Sequence, residues 1–296
     1  MKQLLFGWIL FAGSVAVAQE RVRLPKRDRV QLTVATGYQR SDLRWSIAGN
    51  SAGQHPNVYS ELKWRGVGGV SAGAALSWNL WRNWVVLGEG CRTFTASGSV
   101  SDRDYAGDNR TSPVYAGDFS ARKGYDYRLY LGLGYRWQLG KRFSLTPFLG
   151  YGWSGQRLSV EDGGGLLNSS YRTWWKGPFA RAAGLLQLNG RWGLSFEGDY
   201  HQVDYRAAGD WNLIRTFSHP VSFRHWGDGY GVEGGIGLRY LLRKNVALLL
   251  AGNYFTWRTG KGVDALYLVS GSTSQTQLNE VVLAGFGLKV KMRLNL

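Results

Sequence analysis

From Val30 onward, apolar side chains recur at every second position. The clearest run puts Tyr125, Tyr127, Leu129, Leu131, Leu133, Tyr135 and Trp137 on one face. Asp126, Arg128, Gly132, Gly134, Arg136 and Gln138 occupy the other. A strand turns successive side chains to opposite faces, so this run reads as a strand with one apolar and one polar side. The pattern returns from Ala284 to Leu296, against Lys289, Lys291, Arg293 and Asn295, and from Tyr230 to Leu242, against Glu233 and Arg239. Runs of about 10 residues or more exceed an ordinary globular strand and match a tilted strand that crosses a bilayer. Aromatic residues end the apolar faces, Tyr125 and Trp137 on one and Trp64 and Trp78 on another, and read as interfacial girdles. A soluble sandwich would bury its apolar faces against each other and has no use for such girdles.

The connections come in two lengths. Short turns are predicted near Leu80–Trp84, Gly140–Arg142, Asn189–Arg191 and Arg243–Asn245. Long polar segments are predicted near Ser41–Tyr59, Gly98–Gly124, Glu161–Ser170, Ala207–Pro220 and Thr259–Gln277. They join ten strands, near 30–40, 60–79, 85–97, 125–138, 143–160, 171–188, 192–206, 221–242, 246–258 and 278–296. The expectation is an all-β, transmembrane, antiparallel up-and-down barrel over residues 30–296, with short turns in the periplasm and long loops outside. The chain shows no internal repeat and no linker.

Residues 1–18 read as a secretory signal peptide: Lys2, an apolar run from Leu4 to Val17, and Ala16-Val17-Ala18 before Gln19. Residues 19–29, with Arg21, Arg23, Lys26, Arg27 and Arg29, read as a basic periplasmic lead-in. No later stretch reaches the ~18 consecutive apolar residues that a membrane helix needs. The formal net charge is +16. In an exported barrel that excess points to anionic lipid at the rim rather than to nucleic acid. The single cysteine, Cys91, excludes internal disulfides, and the four histidines form no H-E-x-x-H pattern, so no metal or cofactor is expected.

Some local strings imitate active sites. Gly69-Val70-Ser71-Ala72-Gly73 has the spacing of a nucleophile elbow but lies in a period-two run rather than at a strand-to-helix turn. Gly163-Gly164-Gly165 and Gly260-Lys261-Gly262 read as loop glycines. His201, alternating with Glu197 and Asp199, is expected in a lumen hydrogen-bond network. Asp102 and Asp104 are different. On an extended segment, carboxylates two apart point the same way, and crowding raises one pKa until the pair can share a proton or position a water.

Three strings resemble the omptin family of outer-membrane aspartate-type proteases, as does the ten-strand, five-loop layout. They are Ser60-Glu61-Leu62-Lys63-Trp64, Asp102-Arg103-Asp104-Tyr105, and Tyr171 to Phe179 with Lys176 and Pro178. The resemblance covers most of the barrel in layout and is thin in identity. It implies two acidic pairs facing each other across the lumen mouth. One is Asp102 with Asp104. The other is an Asp–His pair in the fourth outer loop, where Asp210 fits and Asn212 replaces the histidine; His219 lies in the same loop at a different spacing. It also implies cleavage between basic residues, with Asp42 as an acid of the substrate pocket and Ala208 where a second belongs. It further implies lipopolysaccharide as the activating lipid. Arg157 matches one basic residue of that site, and Trp174 replaces another, with Arg172 and Lys176 nearby. The chain ends in Leu296 where barrels commonly end in Phe.

Two readings follow. One is an endopeptidase-related barrel with an incomplete catalytic site, acting on basic peptides at the cell surface. The other is a non-enzymatic surface barrel, an adhesin or a lipopolysaccharide-binding structural protein. A general pore is disfavoured, because ten strands enclose a lumen largely filled by side chains. A monomer in the outer membrane is expected, with lipid and lipopolysaccharide as partners.

Overall fold

In the computed structural model, which describes residues 29–296, thirteen strand segments form one antiparallel sheet. In chain order they are β1 (Val30–Ile47), β2 (Ser60–Asn79), β3 (Trp84–Gly107), β4 (Thr111–Ser120), β5 (Gly124–Tyr135), β6 (Trp137–Leu139), β7 (Phe143–Glu161), β8 (Asn168–Gln187), β9 (Trp192–Asp210), β10 (Phe223–Arg243), β11 (Val246–Thr259), β12 (Gly262–Tyr267) and β13 (Thr273–Asn295). β1 pairs with β13 from Gln31–Asn295 to Ile47–Leu278, so the sheet closes on itself. Ten staves make the barrel: β1, β2, β3, β5, β7, β8, β9, β10, β11 and β13. β4 and β12 are short additions at the rim. Closure removes the unpaired edges that no strand can carry into hydrocarbon. The leader and the lead-in expected at 1–18 and 19–29 lie outside the described residues, save Arg29.

The outer segments are less loop-like than their polarity suggested. β1 runs on to Ile47, β3 to Gly107, and β13 starts at Thr273. The segment expected as a loop over Gly98–Gly124 is mostly the upper β3 and β4, turning through Asp108–Arg110. The one over Thr259–Gln277 contains β12. These extensions keep an inward apolar set, including Val100, Ala265 and Leu278, each at most 1% exposed, and that set packs rather than melts.

Outside, lipid-facing residues such as Leu131, Leu149, Ile236, Leu250 and Leu288 stand exposed between two aromatic levels. Trp78, Trp84, Trp137 and Trp192 mark the periplasmic level, and Tyr38, Phe94, Tyr200 and Tyr230 the outer one. Trp64 was expected in that girdle, opposite Trp78. It is instead fully buried inside the barrel, where its indole N–H donates to the Ser159 carbonyl at 3.1 Å. The reason is a bulge. The β1–β2 register skips between Ser41/Val67 and Leu43/Trp64, and the β2–β3 register shifts between Arg65 and Gly69. An odd insertion moves every residue beyond it to the opposite face. Gly66 takes the left-handed conformation, φ +61, that this corner needs. Below it Val70, Leu76 and Trp78 face lipid; above it Leu62 and Trp64 face inward. Ser71 of the elbow-like string lies within β2, paired with Gly37 and Thr93, so that string is strand.

A plug of paired charges fills the middle of the lumen. Arg181 holds both oxygens of Asp199 at 2.6–2.9 Å and reaches Glu89 at 2.8 Å. Glu233 accepts from Tyr130 at 3.0 Å, Trp257 at 3.2 Å and Arg128 at 3.4 Å. Gln39 bridges Arg128 and Asp126. His201 does not join by hydrogen bonding. Its ring packs against Tyr130, Phe179 and Trp257 at 4.7–5.5 Å between centroids, and its Nε2 lies 3.9 Å from Asp199, whose oxygens Arg181 already occupies.

Candidate functional site

Above the bulge, the inward face of β3 carries Asp102 and Asp104, opposite Leu62 and Ser60 of β2. Both line a cavity of about 650 Å³ at the outer mouth. Its walls are mostly apolar, with Trp45 and Leu62 on one side and Trp211, Phe217, Phe223 and Leu266 on the other; Asp162 and Asp264 also reach it. Burial, and then the charge of Asp104, push the Asp102 carboxyl up to about 7. Burial raises Asp104 too, against a hydrogen bond to Ser60. Arg103, between them in sequence, opposes the rise at Asp102 but points to the other face. There it donates to the Asp102 and Gly117 carbonyls and forks onto both oxygens of Asp118 at 2.8 Å. The pair therefore carries a titrating proton near neutral pH, in an aromatic pocket suited to an apolar or cationic side chain.

The other residues expected at the site do not gather there. On β9, Tyr205, Ala207 and Gly209 are buried toward the lumen, and Trp211 continues that face into the cavity. Asp210 falls on the alternate face, after Asp204, Arg206 and Ala208. It pairs there with His219: Nδ1 stands 2.7 Å from Oδ1, and this bond raises the imidazole pKa. Neither residue lines the cavity. Asn212 is a clamp between two outer loops. Its oxygen accepts from the Asn168 amide and the Ser169 hydroxyl at 3.0 Å, and its amide donates to the Leu166 carbonyl at 2.8 Å. Asp42 also faces outward. It accepts the Gly66 amide at 2.6 Å and so holds the bulge. Arg157 and Arg172 are direct cross-strand partners on the outer wall, both exposed, with Lys176 exposed on the same face of β8. Arg206 and Arg224, also exposed, extend this basic belt across β9 and β10.

A buried chain beneath the cavity has no counterpart in the sequence reading. The Tyr205 and Tyr171 hydroxyls meet at 2.7 Å, Tyr171 reaches His225 Nδ1 at 2.7 Å, and His225 Nε2 stands 3.0 Å from Asp264. Thr276 donates to the other Asp264 oxygen at 3.0 Å. Trp64 stacks on Tyr171 at 5.4 Å, and Trp45 meets His225 edge-on at 4.9 Å. His225 and Asp264 come together only because β10 pairs with β12 in that register. Four residues on four strands leave no spacing signal.

A closed ten-stave barrel with aromatic girdles, a plugged lumen and a carboxylate-bearing outer pocket defines the protein as an omptin-like barrel of the outer membrane. The chain belongs to the Pom family, the Protochlamydia outer membrane proteins, whose model matches residues 33–295. No curated protein matches the chain. Among solved structures it resembles the outer membrane protease OmpT of Escherichia coli, with a TM-score of 0.71 at 11% identity over 90% of this chain and 96% of that one. Weaker likenesses are the translocator domain of the autotransporter NalP of Neisseria meningitidis and OprG of Pseudomonas aeruginosa. NalP gives a TM-score of 0.41 at 12% identity over 90% and 88% of the two chains. OprG gives 0.37 at 14% over 88% and 96%. The likeness to OmpT is one of fold.

Proposed function

We propose that the protein is a surface barrel that has kept the omptin fold without a working omptin protease site, and that its outer wall holds lipopolysaccharide. The observation that carries this reading is the separation of the two acidic pairs. A water that gives its proton to a general base must lie within hydrogen-bond reach of it. Asp210 falls on the face of β9 alternate to the one that leads into the cavity, and neither it nor His219 lines the cavity that bears Asp102 and Asp104. In lipopolysaccharide-containing detergent, the native protein is expected to leave an Arg–Arg peptide intact. Asn212→His is expected to add no cleavage, because position 212 serves the loop clamp. Brisk native cleavage that is abolished by Asp102→Asn and by His219→Ala overturns the reading.

The lipid partner is supported by the exposed belt of Arg157, Arg172 and Lys176, extended by Arg206 and Arg224. Guanidinium forks suit the phosphates of lipid A. Arg157→Ala is expected to weaken lipid A binding at low salt, with a smaller difference at high salt, where screening already reduces the attraction. Equal binding by both proteins at low salt removes Arg157 from the site.

A further inference from the structure

Below the charge plug the lumen opens again, into a chamber of about 500 Å³ that reaches the short-turn end of the barrel. Its character is the reverse of the outer cavity. Arg128 and Arg181 form its roof, held by the acids of the plug. Beneath them Arg239, Lys289, Lys291 and Arg293 line the walls. Of the chamber's acids, Glu89 and Glu233 are held by the roof arginines, Glu89 also attracting Lys289 and Lys291, and Glu197 is left over by the plug. Arg239 is 4% exposed, and its Nε has no hydrogen-bond partner among the described residues. Arg293 shares the space with Arg239 and Arg136, which repel it, while Glu197 attracts it.

The register aims these groups at one volume. Arg239 pairs with Leu249, Leu249 with Lys291, and Lys291 with Ala35. Arg239 and Lys291 thus stand two strand spacings apart, roughly 10 Å along the wall, on one level. Arg293 lies on the next inward position of β13 and pairs with Ala247. Leu249 stands between Arg239 and Lys291, and the wall around them is otherwise small, at Ala35, Ala247, Ala251 and Gly235. Long cationic side chains therefore extend over small ones into open space. Cations that outnumber the acids among them keep a net field, and a buried guanidinium nitrogen without a partner is costly. An oxyanion with two or more charges answers both, because it accepts forked donors from several sides.

We propose that this inner chamber binds a small polyvalent oxyanion of the phosphate class, with Arg239 of β10 as donor on one side and Lys291 and Arg293 of β13 facing it from the other. The site is separate from the outer cavity and from the basic belt on the wall. The test is calorimetric titration of the folded protein with inorganic phosphate, in detergent free of lipopolysaccharide, at low ionic strength, with chloride at matched ionic strength as control. Saturable binding of phosphate and none of chloride is expected, weakened at least tenfold by Arg239→Gln and by Arg293→Gln. Lys261→Gln, on an outer loop, should leave it unchanged. A parallel measurement uses the native protein alone. Phosphate should protect Arg239 and Arg293, but not Arg122, from an arginine-selective dicarbonyl reagent read by mass spectrometry. Absence of saturable phosphate binding, or saturable binding without protection of Arg239, overturns the proposal.

Discussion

The two chambers of this barrel are built from the same staves by the same alternation, yet they are chemical opposites. The outer one is walled by Trp45, Leu62, Trp211 and Phe223 and carries uncompensated carboxylates. The inner one is lined by many alanines and glycines beside Val85, Leu87, Phe148 and Leu249, and its arginines and lysines outnumber its acids. On β3 the inward residues below the bulge are Val85, Leu87 and Glu89, all odd positions; above it they are Val100, Asp102 and Asp104, all even. A change of one position in register therefore decides whether the D-x-D string or Arg103 faces the lumen. Motif and site are linked by a backbone irregularity that the motif does not contain.

The comparison is best broken at the plug between the chambers. Arg181→Ala leaves Asp199 and Glu89 without their cation, and removing one partner of a buried ion pair costs about 3–5 kcal/mol. The unfolding midpoint in detergent should drop accordingly, whereas a substitution at an exposed wall position stays within about 0.5 kcal/mol. A small effect at Arg181 means that the lumen centre is water-filled rather than plugged.

A pH series sharpens the outer half. The Asp102 carboxyl is raised from 3.8 to about 7 in the folded protein. Between those values the folded state keeps a proton that the unfolded chain has released, so stability falls as pH rises through this window and levels above about 7. Asp102→Asn should match the native protein below about pH 4 and become the more stable of the two as pH climbs to 7. Parallel stability curves for the two proteins indicate a solvated, ordinary carboxylate.

The smallest expected effect lies at the bulge. Asp42→Ala removes one hydrogen bond, to the Gly66 amide, worth about 1 kcal/mol. It should leave the affinity of any cationic peptide for the outer cavity unchanged, since Asp42 faces away from it. A lost affinity for Arg-containing peptide returns Asp42 to the substrate pocket that the omptin resemblance assigned it.

The alternation made the fold legible. The outward faces of β5, β10 and β13, the short turns and the strand number follow from spacing alone, because lipid on one side and a filled lumen on the other fix every register. The exceptions have separate causes. Trp64 was misplaced because the parity flip at Gly66 leaves no mark in the hydrophobic pattern. The extensions of β1, β3 and β13 were hidden because rim strands expose one face to water rather than lipid and so read as polar loops. Asp102 and Asp104 were legible as a pair, since their relation is local. The orientation of Asp210 was not, as it depends on how β9 meets the rim. The approach of His225 to Asp264 was illegible, as it depends on the pairing of two distant strands.

The seam between β1 and β13 carries a consequence for biogenesis. The first stave hydrogen-bonds to the last along nearly its whole length, so the cylinder cannot shut until the C-terminal segment has been delivered. A nascent or truncated chain lacking β13 presents two raw edges, on β1 and on β11, each a template for foreign strands. Shutting the cylinder depends on a pairing distant in sequence, Gln31 with Asn295, and contacts of such long range form slowly.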